Sequence, residues 1–596
     1  HLSERLLRDG HQVTVLDSAS TGRLSNLNGV IDSPQFQVIE GSILDSSVVS
    51  SVDTYSELQI LANIVARLSV TAAGGTPAPP LTAAEFALIG ISGVTSTNLS
   101  SVLATIVSTP DNGSGIDGLA KLQAVVDTGI ANARAASQAI IANYDGTNTV
   151  PTSADFVNIG VTGVISGQIA AINTFIAVRP AVDTDSQAEV QAIVDAYAKL
   201  VSSANGLADG GLPLSAIEFA TLGLSAVDLS AEVNLLNDLI DVRPGTAVDS
   251  YVEVAALASI VTRFIGEAAG VASSPALTPA DFVALGISRV TAENLAEVLI
   301  AIRASADDGS EIDTLTEVRT LVDTAVALSR QNAIDTISRY DGTSATTTPT
   351  LADFANAGVT GVTNGNLVSI NSAFAVIGIA DSDATEEIQG LVSGYVTILL
   401  GADGQRDSDV SLSSSDYVAM NLARVDTSGK ADLLNQIFDG LLIAKVDTYS
   451  ELQSASDVVA DIFLTATGAQ PQSELTVARL EAIGLSGITS GNIALLVAAI
   501  ANTSDDTLGV DSFAEVQAIV NQVRASQAGA LGVISAYDGT NTVPSVNTLQ
   551  SAGITGVDSS NIGIINQYLA TMSAELTDSV AEVQALVNAL SKLLIC

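Results

Sequence analysis

Asp307, Asp308, Glu311 and Asp313 lie together in SADDGSEID, which begins at Ser305. Their carboxylates could offer oxygens to Ca²⁺, a hard cation satisfied by carboxylate and carbonyl groups. TPDNGSGID at Thr109 and TSDDTLGVD at Thr503 occupy equivalent places. The spacing matches no EF-hand loop, and the same residues read equally as a polar turn with an N-cap Asp. Other chemistry is scarce. The only histidines are His1 and His11, and the single cysteine is Cys596. The stretch between residues 52 and 595 therefore has no imidazole for general base work, no thiol nucleophile and no soft metal ligand. Its serines and threonines read as caps and turn residues, and its recurring carboxylates as solvated helix faces. A catalytic pair needs one unrepeated environment that shifts its pKa. Tyr144 and Tyr537 open YDGTNTVP, an Asp-Gly turn followed by proline before the next helix.

These residues are carried by a repeating unit. LTPADFVALG at Leu277 has near-copies at Leu81, Pro151, Leu214 and Leu475. The glycine closing the segment falls at 90, 160, 223, 286, 358, 484 and 553, with Asn421 in the remaining place. The period is about 65 residues, a length that signals an array. A longer period is superimposed: YDGT recurs at Tyr144, Tyr340 and Tyr537, so three units make a higher repeat of about 197 residues. VDTYSELQ appears at both Val52 and Val446.

Each unit reads as three short helices. In the copy at Leu277, Thr278 is the N-cap, Pro279 the first helical residue and Asp281 the third position of a capping box. Phe282 and Leu285 share a face, and Gly286 fits a C′ position that needs positive φ. The second helix is expected from Thr291, with Leu295, Val298, Leu299 and Ile302 on its apolar stripe. The third opens with the box Thr314-x-x-Glu317 and runs Leu315, Val318, Val322 and Val326 along one stripe. The same box recurs at Thr54, Ser186, Ser250, Thr448, Ser512 and Ser579. An apolar period of 3.6 rather than 2 favours helix over strand. Separate bundles and a stacked solenoid both remain open.

Aromatics make up 4% of the chain and Trp is absent, so the cores must be small and aliphatic. No apolar run reaches the length of a membrane span. The net charge of −43 argues against nucleic acid and against anionic membrane surfaces as partners. It suits a soluble, self-repelling, extended object, or one that lives among salt and divalent cations.

Residues 1–45 have a different character. HLSERLLRDGHQVTVLDSASTGRLSNL reads as helix, turn at Gly10 and strand Val13–Leu16 ending in an acid, and SPQFQVIEGSILD supplies a second strand, Phe36–Ile39. The segment, in GHQVTVLD, STG and NL, resembles the NAD-dependent epimerase/dehydratase family, the extended short-chain dehydrogenases acting on nucleotide sugars. The resemblance implies NAD as cofactor, Asp17 on the adenosine ribose, Thr21 and Gly22 along the adenosine side, and Ser42 and Ile43 beside the adenine. The family usually has Asp where Ser42 stands. Its Gly-rich phosphate turn would precede His1, and its Tyr-x-x-x-Lys has no counterpart here; Tyr197 and Lys199 are wrongly spaced. From residue 52 onward the chain resembles tandem helical repeats of large bacterial surface proteins and adhesins. In F-x-x-x-G-[IV]-[ST] and E-V-Q-A-[IL]-V it is also similar to protein G-related albumin-binding three-helix modules.

The expected fold is mainly α: a tandem array of three-helix units preceded by a truncated α/β Rossmann-like fragment. The expected domains are the fragment at 1–49, a lone third helix at 52–75, and units at 78–140, 150–205, 212–268, 276–339, 348–402, 410–466, 473–536 and 544–596. Beginning at His1 and ending at Cys596 inside a third helix, the sequence reads as truncated at both ends, with a chimeric join near residues 45–52. Residues 1–45 should then form a partial βαβ unit making few contacts with the helical units. The expected function is a non-enzymatic extracellular or cell-surface region, stalk-like or adhesin-like. The alternatives are an array of modules binding a host or matrix protein, and a cytoplasmic nucleotide-sugar epimerase, dehydratase or decarboxylase present only as an inactive fragment.

Overall fold

The computed structural model describes residues 2–17, 27–40, 55–110, 113–306, 308–503 and 508–594. The protein is mainly helical, with two short parallel strands among the described residues. No described helix is long and apolar enough to cross a membrane.

Helices follow one another in a recurrent order of short, middle and long. The short ones include Ala83–Leu88, Ser153–Ile159, Ala216–Thr221 and Pro279–Ala284. Thr278 caps the last of these in extended conformation, Pro279 occupies its first turn and the Asp281 carboxylate accepts the Thr278 amide at 2.7 Å. Each short helix drives one large side chain into the core: Phe86, Phe156, Phe219, Phe282, Phe354 and Tyr417 are all at most 1% exposed. The helix then stops on a left-handed residue. Gly286 has φ +78°, and the Ile287 amide returns to the Phe282 carbonyl at 2.9 Å, satisfying a carbonyl the helix end would orphan.

The middle helix corrects one expectation. It runs Leu295–Arg303 rather than starting at Thr291. The Asn294 side chain accepts the Thr291 amide at 2.9 Å and donates to the Arg289 carbonyl at 3.0 Å, which closes the preceding residues into a turn. Asn98, Asn366, Asn492 and Asn561 do the same, each bonding the carbonyl five residues back. Asn competes for backbone groups in this way and so favours caps over helix interiors.

Long helices are Tyr55–Ala72, Leu119–Ala142, Gln187–Ser203, Tyr251–Ala268, Leu315–Ser338, Thr385–Gly401, Tyr449–Ala466 and Phe513–Ser535. Their lengths, 18, 24, 17, 18, 24, 17, 18 and 23 residues, recur every third helix. The capping acids are in place: Glu189, Glu253, Glu317, Glu451, Glu515 and Glu582 each accept the amide three residues earlier. Thr54 lies outside the described residues. The cap of Leu315–Ser338 is thus Thr314 and not an aspartate. The glutamine in E-V-Q-A also acquires a reason. Gln191 exchanges two amide bonds with the Thr162 backbone, at 2.9 and 3.1 Å, and Gln584 does so with Thr555, at 2.7 and 3.1 Å.

The chain divides into two compact bodies, residues 1–277 with 305–317, and residues 278–304 with 318–596. Within the first, Tyr55–Ala72, Ala83–Leu88, Leu99–Val107 and the start of Leu119–Ala142 share one core around Ile64, Leu68, Phe86, Val102 and Val126. Leu119–Ala142 then packs its other half on Ser153–Ile159. Further on, the Tyr251 amide is held by Thr174 Oγ1 at 2.9 Å and the Leu315 amide by Asp238 Oδ2 at 2.9 Å, each across 77 residues. In the second body one hydrophobic core runs unbroken from Ala333 to Val520. There the Tyr449 amide bonds Ser372 Oγ at 2.8 Å and the Phe513 amide bonds Gln436 Oε1 at 3.1 Å, again across 77 residues. So the first turn of a long helix is anchored on the middle helix that precedes its own.

At the N-terminus, β1 (Val13–Asp17) pairs in parallel with β2 (Phe36–Glu40), in a register that sets Val13 opposite Phe36 and Asp17 opposite Glu40. The helix Leu2–Arg8 packs on β1. Among described elements, the main contacts of these three are with one another.

Candidate functional site

Of the residues assigned to a nucleotide, Asp17 ends β1, beside Glu40 at the same level of the neighbouring parallel strand. Thr21, Gly22, Ser42 and Ile43 lie outside the described residues, as do residues 45–52.

The acidic connector resolves into separate local roles. Asp308 Oδ1 accepts the Ser310 amide at 3.0 Å, a bond that holds its carboxyl below the usual range. Glu311 Oε2 accepts the Ala306 amide at 3.0 Å. Asp313 reaches away from both and takes a bond from Asn234 Nδ2 at 3.0 Å. Asp307 lies outside the described residues. No group of three or more His, Cys, Asp or Glu among the described residues converges on one point. At the connector ending in Asp511, burial pushes that carboxyl up, helped by Glu515 and Asp432.

Proton chemistry is equally dispersed. Tyr197 is 2% exposed, and burial pushes its phenol up to about 12, with Asp249 adding to the effect. Tyr417 is held further up by burial and donates to Asn435 Oδ1 at 2.7 Å, while Tyr449 donates to the Met420 carbonyl at 2.6 Å. Tyr417 and Tyr449 act as buried donors locked in the core.

The strongest electrostatic cluster was not singled out by the sequence reading. Asp461 is fully buried and bonds Arg424 Nη2 and Arg479 Nη2, both at 2.7 Å, and the Gln472 amide at 2.9 Å. Burial alone would raise its pKa, but the two guanidinium bonds more than reverse this and hold it low. Elsewhere the same contact has opposite polarity: Arg67 pairs with Glu85, and Lys199 Nζ lies 2.8 Å from both Glu218 oxygens. The signal was legible only as an anomaly, since Arg479 stands in LTVARLEAIG where the other copies carry an acid, apart from the last, which has Thr548.

No family model matches the chain, and no curated protein or solved structure matches it.

Proposed function

We propose that residues 52–596 are a tandem array of three-helix units, neighbours being stacked within each compact body, acting as a non-enzymatic, extracellular structural region that holds or displays another element. The observation that carries this reading is the anchoring of long helices across 77 residues, repeated at Tyr251, Leu315, Tyr449 and Phe513. Nearest-neighbour stacking of this type makes one unit the support of the next. The polar groups fit the same reading, because they are spent on caps, turns and ion pairs between helices. Immunolabelling of intact source cells, with the complete chain as immunogen, tests the location. A signal seen only after permeabilisation overturns the extracellular assignment. Immobilised full-length chain offered matrix and serum proteins tests the structural role. Saturable capture at micromolar levels, against a weak benchmark of about 1 mM, favours an array of binding modules instead.

A second reading concerns the N-terminus. The parallel pairing of β1 with β2 and the acid closing β1 support a Rossmann-like fragment of the epimerase/dehydratase type, with NAD as its ligand. Saturation-transfer NMR of the full chain with NAD tests it, and absence of any adenosine signal counts against it.

A further inference from the structure

The helix Ser230–Asp241 ends on a carboxylate that its surroundings leave half satisfied. Asp241 is 7% exposed and accepts the Gly210 amide on Oδ2 at 3.0 Å, while its buried Oδ1 has no hydrogen-bond partner. A carboxylate at a helix C-terminus also faces the negative end of the helix dipole. Burying an anion there is costly unless hydrogen bonds or a cation compensate it.

The counterpart one higher repeat later shows what compensation looks like. Asp439 ends the helix Ser428–Asp439 and accepts three amides, from Ser408 at 2.8 Å, Asp409 at 3.1 Å and Val410 at 3.2 Å. In the first copy two of those donors are diverted. The Gly211 amide goes to Asp209 Oδ1 and the Leu212 amide to Ser203 Oγ, both at 3.2 Å. The residue corresponding to Ser203 in the second copy is Gly401, which has no hydroxyl to compete. The Ser203 hydroxyl thus accounts for one of the two amides that Asp439 has and Asp241 lacks.

Beside Asp241 lies a cavity of about 170 Å³, lined among others by Ser203, Gly211, Asn234, Asp238 and Thr314. That volume holds an ion with some of its waters. Asp238 already fixes the Leu315 amide through Oδ2, and Asn234 donates to Asp313, leaving an amide oxygen as a further hard donor. We propose that this cavity binds one divalent cation of the Ca²⁺ class, with Asp241 Oδ1 as anchoring ligand and Asp238 as the second carboxylate. The remaining positions fall to amide or backbone oxygens and water, as oxygen-loving cations accept. The ion would sit between the end of one middle helix and Thr314, the cap of a long helix, and so strengthen an anchor between units.

Calorimetric titration of the chelator-treated full chain with CaCl₂ tests this. One saturating event is expected, with an affinity in the range of about 10⁻⁵–10⁻³ M. Asp241→Asn should abolish it. Ser203→Gly, which frees the Leu212 amide without removing a carboxylate, should weaken it at least about tenfold. Asp308→Ala, in the exposed connector, should leave it unchanged. Circular dichroism and thermal melts identify any variant that fails to fold, and Ser203→Gly keeps the test open if Asp241→Asn does not. Absence of saturable heat, binding retained in Asp241→Asn, undiminished affinity in Ser203→Gly, or equal loss in Asp308→Ala overturns the proposal.

Discussion

Asn421 has φ +60°, whereas Gly90, Gly160, Gly223, Gly286, Gly358, Gly484 and Gly553, at the equivalent places, lie between +78° and +90°. A Cβ there meets the carbonyl and costs roughly 1–2 kcal/mol, which Asn softens by local hydrogen bonding. Asn421→Gly should therefore stabilise the chain by up to about 1 kcal/mol in urea unfolding. Gly→Ala changes should separate by environment. At Gly90 nothing lies within 4 Å of an added Cβ, so only the backbone term of about 1–2 kcal/mol is lost. At Gly553 the Gly491 carbonyl oxygen would stand 2.6 Å away, and the loss should be clearly larger. This residue-level feature was fully readable from the sequence, because a glycine spaced by the repeat and replaced only by asparagine has one physical meaning. The Asp461 cluster was not, because ion pairs between helices depend on which faces meet. Asp461→Asn should cost about 3 kcal/mol, since it takes the carboxylate from Arg479 and leaves Arg424 with Asp457 alone. The triple change Arg424→Ala, Asp461→Arg, Arg479→Glu should recover part of that loss, because it restores the polarity of the Arg67–Glu85 contact. Equal destabilisation by both variants would show that the reversed pair depends on neighbours specific to its own copy.

At the scale of elements, asparagines on the middle helices show how one residue changes a joint. Asn237 makes two hydrogen bonds to the Leu214 backbone, accepting at 2.8 Å and donating at 2.8 Å, and Asn435 does so with Leu412 at 3.1 and 2.8 Å. Asn173, Asn371 and Asn566 donate to the carbonyls of Pro151, Pro349 and Pro544, but their Oδ1 atoms are buried without a partner. Proline has no amide to give. Truncation should register the difference: Asn237→Ala is expected to cost about 2–3 kcal/mol and Asn173→Ala about 1 kcal/mol, measured by denaturant midpoint at constant m-value. Helix existence, caps and stripes were legible because they repeat, and repetition averages away the ambiguity of any one window. The start of the middle helix was misplaced by four residues because Thr291 looks like a cap, while the stronger competitor for the backbone is Asn294. Stacking was illegible for a different reason. The groups that tie neighbouring units, Thr174, Asp238, Ser372 and Gln436, share a position but no residue type.

For the whole molecule, a net charge of −43 makes self-repulsion a standing cost at pH 7. Glu232 and Asp249 are pushed up mainly by burial, as is Asp511. A carboxylate raised on folding contributes stability that is present below its unfolded pKa and lost as pH rises through the folded value. Acidification from pH 7 toward about 5 should therefore raise the melting temperature, in the same direction as relief of repulsion. Asp461 and Glu85 are depressed, Glu85 chiefly by Arg67, and work the other way. Their contribution is present above the ordinary carboxylate pKa and lost as pH falls through the folded value, so stability should drop again below about pH 4. Melts recorded from about pH 3 to 8 check both limbs, and a curve that falls steadily from neutral pH would contradict this balance. The anchoring of long helices on the preceding unit has a genetic corollary. VDTYSELQ stands at both Val52 and Val446, and each copy leads into an equivalent short helix, Ala83–Leu88 or Val477–Ala482. A crossover between the DNA encoding these two stretches would delete or duplicate whole periods, and a duplication would set Arg67, the counterpart of Asp461, behind Arg424. A change in the number of periods would thus need only one exchange of DNA, but it would hold only where an acid again came to face Arg424.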